Sequence, residues 1–189
     1  MEMFEYVAVL TSIIIGLGIT HLLQGVARLI QQPGEAHVYW VHLAWVLYTF
    51  TQTIFWWWFE FRLGAVGVWT FQLYLFVVFY AVLIYLQCAL LFPSSLDKFD
   101  GFRDYFYSRR AWFFGVWVLV VLVDTGDSWF KGSDHFSSLG SEYIRNQMVG
   151  LVFMLVAART RSERFHAVWV VVALVYVFVY GLTSFGTVG

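Results

Sequence analysis

The side chains of this chain best suited to proton or metal chemistry near neutral pH are its 5 histidines, and three of them, His21, His42 and His166, sit inside long apolar segments. In "ITHLLQGVARL", residues 19–29, His21, Gln24 and Arg28 recur at helical spacing and so share one side of a helix. In the next apolar segment His42, Thr49, Thr53 and Glu60 fall within about 20° of a common line at about 100° per residue, with Trp45, Gln52 and Trp56 alongside. Gln72 and Gln87 in the third segment, and His166, Tyr180 and Ser184 in the last, follow similar lines. Polar groups are costly in hydrocarbon and turn towards protein or water. Four segments with such a line therefore predict a shared polar interior.

The chemistry this suggests is passage rather than catalysis. His21, Gln24, Arg28 and His42 form the inner end of the line, Thr49, Gln52 and Thr53 its middle, and Glu60, Gln72, Asp124 and Arg145 its outer end. Asp124 and Arg145 each lie about 7–8 Å to the outer side of their helix centres, which predicts an ion pair. A channel or carrier for protons, ions or a small polar solute is the leading expectation, with no cofactor. A membrane redox protein is the alternative, because transmembrane b-type haem is held by histidines on different helices. His42 and His166, about 11 Å and 13 Å inward of their helix centres, are closer to level than either is with His21, at about 6 Å. Quinone could use the same histidines. A third reading is a non-catalytic sensor or accessory subunit.

Other classes find little support. The chain carries none of the P-loop, HExxH, GxSxG, CxxCH or TVGYG patterns, and no lysine in an apolar segment. The best nucleophile and base on offer, Thr49 with His21 or His42, do not favour an enzyme. Asp127, Asp134, His135 and Glu142, in a Gly/Ser-rich stretch, match no metal-ligand spacing. The single cysteine, Cys88, excludes an intrachain disulfide, and a net charge of -1 without a basic run gives nucleic acid nothing to bind.

The elements that must position these residues follow from composition: 61% hydrophobic and only 12% charged residues in 189 describe an all-α, polytopic integral membrane protein. Apolar runs near 4–30, 38–61, 66–92, 110–128, 141–159 and 164–186 predict a single bundle of six transmembrane helices in three out-in-out hairpins. Pro33 and Pro93 fall just past the first and third. "MEMFEY" lacks the basic residues of a signal peptide, so the first helix is expected to be retained.

Of the 11 basic residues, Arg28, Lys98, Arg103, Arg109, Arg110, Arg159, Arg161 and Arg164 lie at loops one, three and five, against Arg62, Lys131 and Arg145 opposite. That bias predicts a bacterial-type cytoplasmic (inner) membrane, loops one, three and five in the cytoplasm and both termini outside. Trp40, Trp112 and Trp169, with Trp56–Trp58 and Trp129 at the other boundary, read as interfacial belts.

Leu96, Phe99, Phe102 and Phe106 predict an amphipathic interfacial segment over 94–107. Thr11, Gly18 and Gly25 form a small-residue seam at which another helix can approach closely. A faint likeness of "HVYWVHLAWV" (37–46) to "HAVWVVVALV" (166–175) fits duplicated hairpins. The expected partners are the lipid bilayer, further copies of the chain in a homo-oligomer, or a membrane complex.

Overall fold

The computed structural model describes residues 3–32, 34, 37–60, 63, 68–130 and 140–184, without the side chains of 3, 126–130, 140–144 and 182–184. The described residues form six α-helices joined by turns: α1 (Met3–Gln31), α2 (Trp40–Glu60), α3 (Phe71–Ala89), α4 (Phe102–Phe130), α5 (Gly140–Arg159) and α6 (Glu163–Ser184). Four of them hold stretches long and apolar enough to cross a membrane: Phe4–Gln31, Phe71–Ala89, Phe102–Thr125 and Glu163–Gly181. At 21 and 20 residues α2 and α5 are long enough as well. They fall short in apolarity, α2 through its His, Thr, Gln and Glu and α5 through Arg145, Asn146 and Gln147. The side chains of Asp127, Asp134, His135, Glu142, Arg62, Lys131, Trp129 and Ser184 lie outside the described residues.

Local signals set the helix ends. Thr70 caps α3, its hydroxyl accepting from the Leu73 amide at 3.2 Å. Ser162 does the same for α6, accepting from the Phe165 amide at 3.3 Å. At α4 the chain turns through Gly101, whose φ of 135° suits glycine and where a Cβ would meet His37 at 3.0 Å. The Phe102 amide then donates to the His37 carbonyl at 3.1 Å, tying the start of α4 to the connection before α2.

This start replaces the separate amphipathic helix expected over 94–107. Residues 94–101 are turns and bends, and 102–107 open α4 itself. Phe102 and Phe106 are buried in the bundle and Leu96 and Phe99 pack against it, so this aromatic arc is turned into protein. The charges at Arg103, Asp104, Arg109 and Arg110 interrupt the apolar run but not the helix, because Arg is a good helix former.

Of the three tightest pairs only one joins consecutive helices. α1 packs chiefly on α3, α4 on α5 and α6 on α2, while α2 also touches α1, α3 and α4 and so runs through the middle. The seam of Thr11, Gly18 and Gly25 is the face of α1 that meets α3. A Cβ on Gly18 would stand 3.2 Å from Cys88 Sγ, and one on Gly25 only 2.2 Å from the Phe92 ring. α5 and α6 meet through Phe153, stacked on Trp169 at 4.5 Å.

Burial is inverted relative to a water-soluble bundle. His42, Thr49, Thr53, Glu60, Gln87 and His166 are buried, whereas Val9, Ile13, Leu17, Val152, Val168, Val172 and Val175 are exposed. A surface of that kind is stable only against an apolar solvent.

Candidate functional site

The interior is organised by one face of α2. His42, Trp45, Thr49, Thr53, Trp56 and Glu60 are all buried, and Gln52 is half-buried. Thr53 donates to the Thr49 carbonyl at 2.8 Å and lies 3.7 Å from Cys88 Sγ on α3. Trp45 stands edge-on to Tyr48, Phe113 and Phe114, with ring centroids 5.4, 5.8 and 5.1 Å away.

At the end formed by connections one, three and five, the histidines meet backbone. Carbonyls at and just beyond a helix end have no intrahelical partner, and between the end of α3 at Ala89 and Pro93 three of them follow in succession, at Leu90, Leu91 and Phe92. Tyr105 of α4 donates its hydroxyl to the Leu90 carbonyl at 2.9 Å. His42 of α2 donates to Leu91 at 2.6 Å and His21 of α1 donates to Phe92 at 3.0 Å, each through Nε2. Three helices thus cap the fourth. Because a carbonyl only accepts, each ring carries a proton on Nε2.

The end of α5 is held likewise. Arg110 donates from Nε to the Thr160 carbonyl at 3.0 Å and from Nη2 to the Arg159 carbonyl at 3.4 Å, and His166 Nε2 donates to Thr160 at 3.1 Å. Arg110 also reaches the Tyr107 carbonyl. His166 lies in an aromatic box, stacked on Phe114 and edge-on to Phe106, Tyr107 and Phe165. Tyr105 and Arg110 were not singled out in sequence; their spacing to a helix end is set only by the fold.

The two caps contrast with the exposed Arg103–Glu163 ion pair between the starts of α4 and α6. Arg103→Ala is expected to leave the melting temperature in detergent unchanged, since exposed pairs contribute little. Arg110→Met, which strands carbonyls at the end of α5, is expected to destabilise by about 1–3 kcal/mol. Equal melting of the two variants would contradict the capping role.

At the opposite end Asp124 of α4 accepts from the Tyr80 hydroxyl of α3 at 2.9 Å and from Gln147 Nε2 of α5 at 2.7 Å, joining three helices. Glu60 is buried at the end of α2, whereas Gln72 and Arg145 are exposed. On α1 only His21 turns inward; Gln24 and Arg28 are exposed, because the seam takes the packed face. The structure therefore brings His21 and His42 to one helix end and Thr49 and Thr53 to one face, and leaves Gln24, Arg28 and Gln72 outside it.

Several buried polar atoms on this face have no hydrogen-bond partner among the described residues. On α2 they are His42 Nδ1, Trp45 Nε1, Thr49 Oγ1 and Trp56 Nε1, all within an arc of about 60° at about 100° per residue. Gln87 Nε2 of α3 and Trp117 Nε1 of α4 are in the same condition. Buried donors and acceptors left without a partner are rare and mark water, an ion or a ligand.

Haem does not fit His42 and His166. Both rings commit Nε2 to a carbonyl, and Phe102 and Phe114 stack on them at 4.9 and 5.5 Å, which leaves no room for a macrocycle. Among the described residues no three His, Cys, Asp or Glu side chains are grouped to hold a metal ion. No known protein family, curated protein or solved structure matches this chain.

Proposed function

We propose that all six helices cross a bilayer, with connections one, three and five on the cytoplasmic side and both termini outside, and that the buried face of α2 is a hydrated path for protons or a small polar solute. The observation that supports this reading is the file of unpartnered polar atoms at positions 42, 45, 49 and 56 of α2, running along most of the helix. In lipid each such group costs several kcal/mol unless water or a solute pairs with it. Water along this face satisfies them, and a file of waters conducts protons and admits small hydrogen-bonding solutes. Asp124 and Glu60 place carboxylates at the outer end, and the Asp124–Arg145 pair belongs to the same reading.

The test is flux of protons across a pH step in liposomes holding purified protein. Thr49→Val combined with Gln87→Met keeps side-chain volume, leaves both helix caps intact and removes two polar groups from the path. The expected result is at least a tenfold loss of flux at unchanged melting temperature, corresponding to about 1.4 kcal/mol on the barrier. Undiminished flux, or none above empty liposomes for the unsubstituted protein, overturns the reading.

A further inference from the structure

Along the outer side of α5 an open cleft is lined by Val152, Leu155, Val156, Arg159 and Thr160. The first four stand at i, i+3, i+4 and i+7 and form one stripe. Met154 and Ala157 are buried, while Val152, Leu155 and Val156 are exposed. The stripe ends at a cation: the Arg159 side chain is exposed and makes no hydrogen bond or ion pair among the described residues, its carbonyl alone being held by Arg110. Arg161 and Arg164 follow within five residues and are exposed as well. The one acid among them, Glu163, is already taken by Arg103. The lip of the cleft therefore carries uncompensated positive charge, and its floor is aliphatic.

We infer that this cleft binds an anionic phospholipid of the cytoplasmic leaflet, the acyl chains lying on Val152, Leu155 and Val156 and the headgroup phosphate on Arg159. The inference rests on the reading that α5 crosses the bilayer. Guanidinium matches phosphate geometry through paired N–H donors. A zwitterionic lipid brings its own cation to the same place and loses the advantage. Basic sites of this kind beside apolar helix surfaces on the cytoplasmic side recognise anionic headgroups.

Native mass spectrometry of the full chain in neutral detergent, with phosphatidylglycerol and phosphatidylcholine added in equal amounts, tests this. Retention of phosphatidylglycerol is expected to exceed that of phosphatidylcholine. About a fivefold loss is expected in Arg159→Gln, since one basic residue at the surface contributes roughly 1 kcal/mol. Val156→Trp, which fills the cleft and leaves the charge, is expected to lower retention of both lipids. Excess inorganic phosphate should not displace the lipid. Equal retention of the two lipids, unchanged retention in both variants, or displacement by phosphate overturns the site. A membrane-impermeant thiol reagent applied to Ser141→Cys and Arg161→Cys separates the two failures: labelling of both from the same side refutes the spanning of α5 itself, whereas labelling from opposite sides without a lipid preference refutes only the site.

Discussion

His42→Phe is expected to melt well below the unsubstituted protein although it fills the same space. Phenylalanine fits an aromatic cage in which His42 already stacks on Phe102 at 4.9 Å and meets Phe92 edge-on at 5.2 Å. What it lacks is the N–H that reaches the Leu91 carbonyl at 2.6 Å. Leaving that buried carbonyl without a donor costs about 1–3 kcal/mol. His42→Ala adds an unfilled volume to the lost bond, and for large-to-small core changes the total is about 3–5 kcal/mol. His42→Gln, which restores a donor, should recover part of the loss. Thermal unfolding in detergent ranks the three. A phenylalanine variant as stable as the parent would show that the Leu91 carbonyl does not depend on His42.

Gly25→Val should separate α1 from α3. Even a single Cβ at Gly25 falls 2.2, 2.3 and 2.5 Å from three atoms of the Phe92 ring. That ring is 2% exposed and is walled by His42 and by Phe102, so it cannot swing away without disturbing the cap on α3. Overpacking of this sort costs about 1–3 kcal/mol for a small group and more for a branched one. The comparison is Gly16→Ala on the same helix, where a Cβ meets nothing within 4 Å and no change is expected. Phe92→Leu in the Gly25→Ala background should restore stability in part. If Gly16→Ala and Gly25→Ala melt alike, the close approach of α1 and α3 at Gly25 is not real.

The positions of the six helices were legible because apolar run length and helical period report the same thing in this chain. The line on α2 was legible too, since Thr, His and Trp at fixed angular spacing in an apolar helix have nowhere to go but inward. Where reading failed, two signals competed. Gln24 and Arg28 share the angular position of His21, yet α1 also carries Gly18 and Gly25, and close packing at glycine decided which face turns inward. The start of α4 was set too late because hydropathy registers Arg103 and Arg109 as loop, whereas hydrogen bonding from Phe102 onward does not distinguish them. The caps on α3 and α5 were beyond reach. Nothing local marks Tyr105 as the partner of Leu90 or Arg110 as the partner of Thr160, because those pairings depend on which helices adjoin.

The pairing of α6 with α2 rather than chiefly with α5 sets the order in which this chain can be finished. Residues are made from the amino end, so α2 waits for a partner about 120 residues later in synthesis. Until then the Thr and Trp groups along α2 must be sheltered by α1, α3 and α4 or by the insertion machinery. Closing so long a loop is the entropically expensive contact of the fold and makes docking of the last helix a late, slow step. A nascent chain paused before residue 163 should accordingly be far more open to protease than the completed one, and substitutions on the α2–α6 surface should act on yield more than on the melting temperature of what has folded.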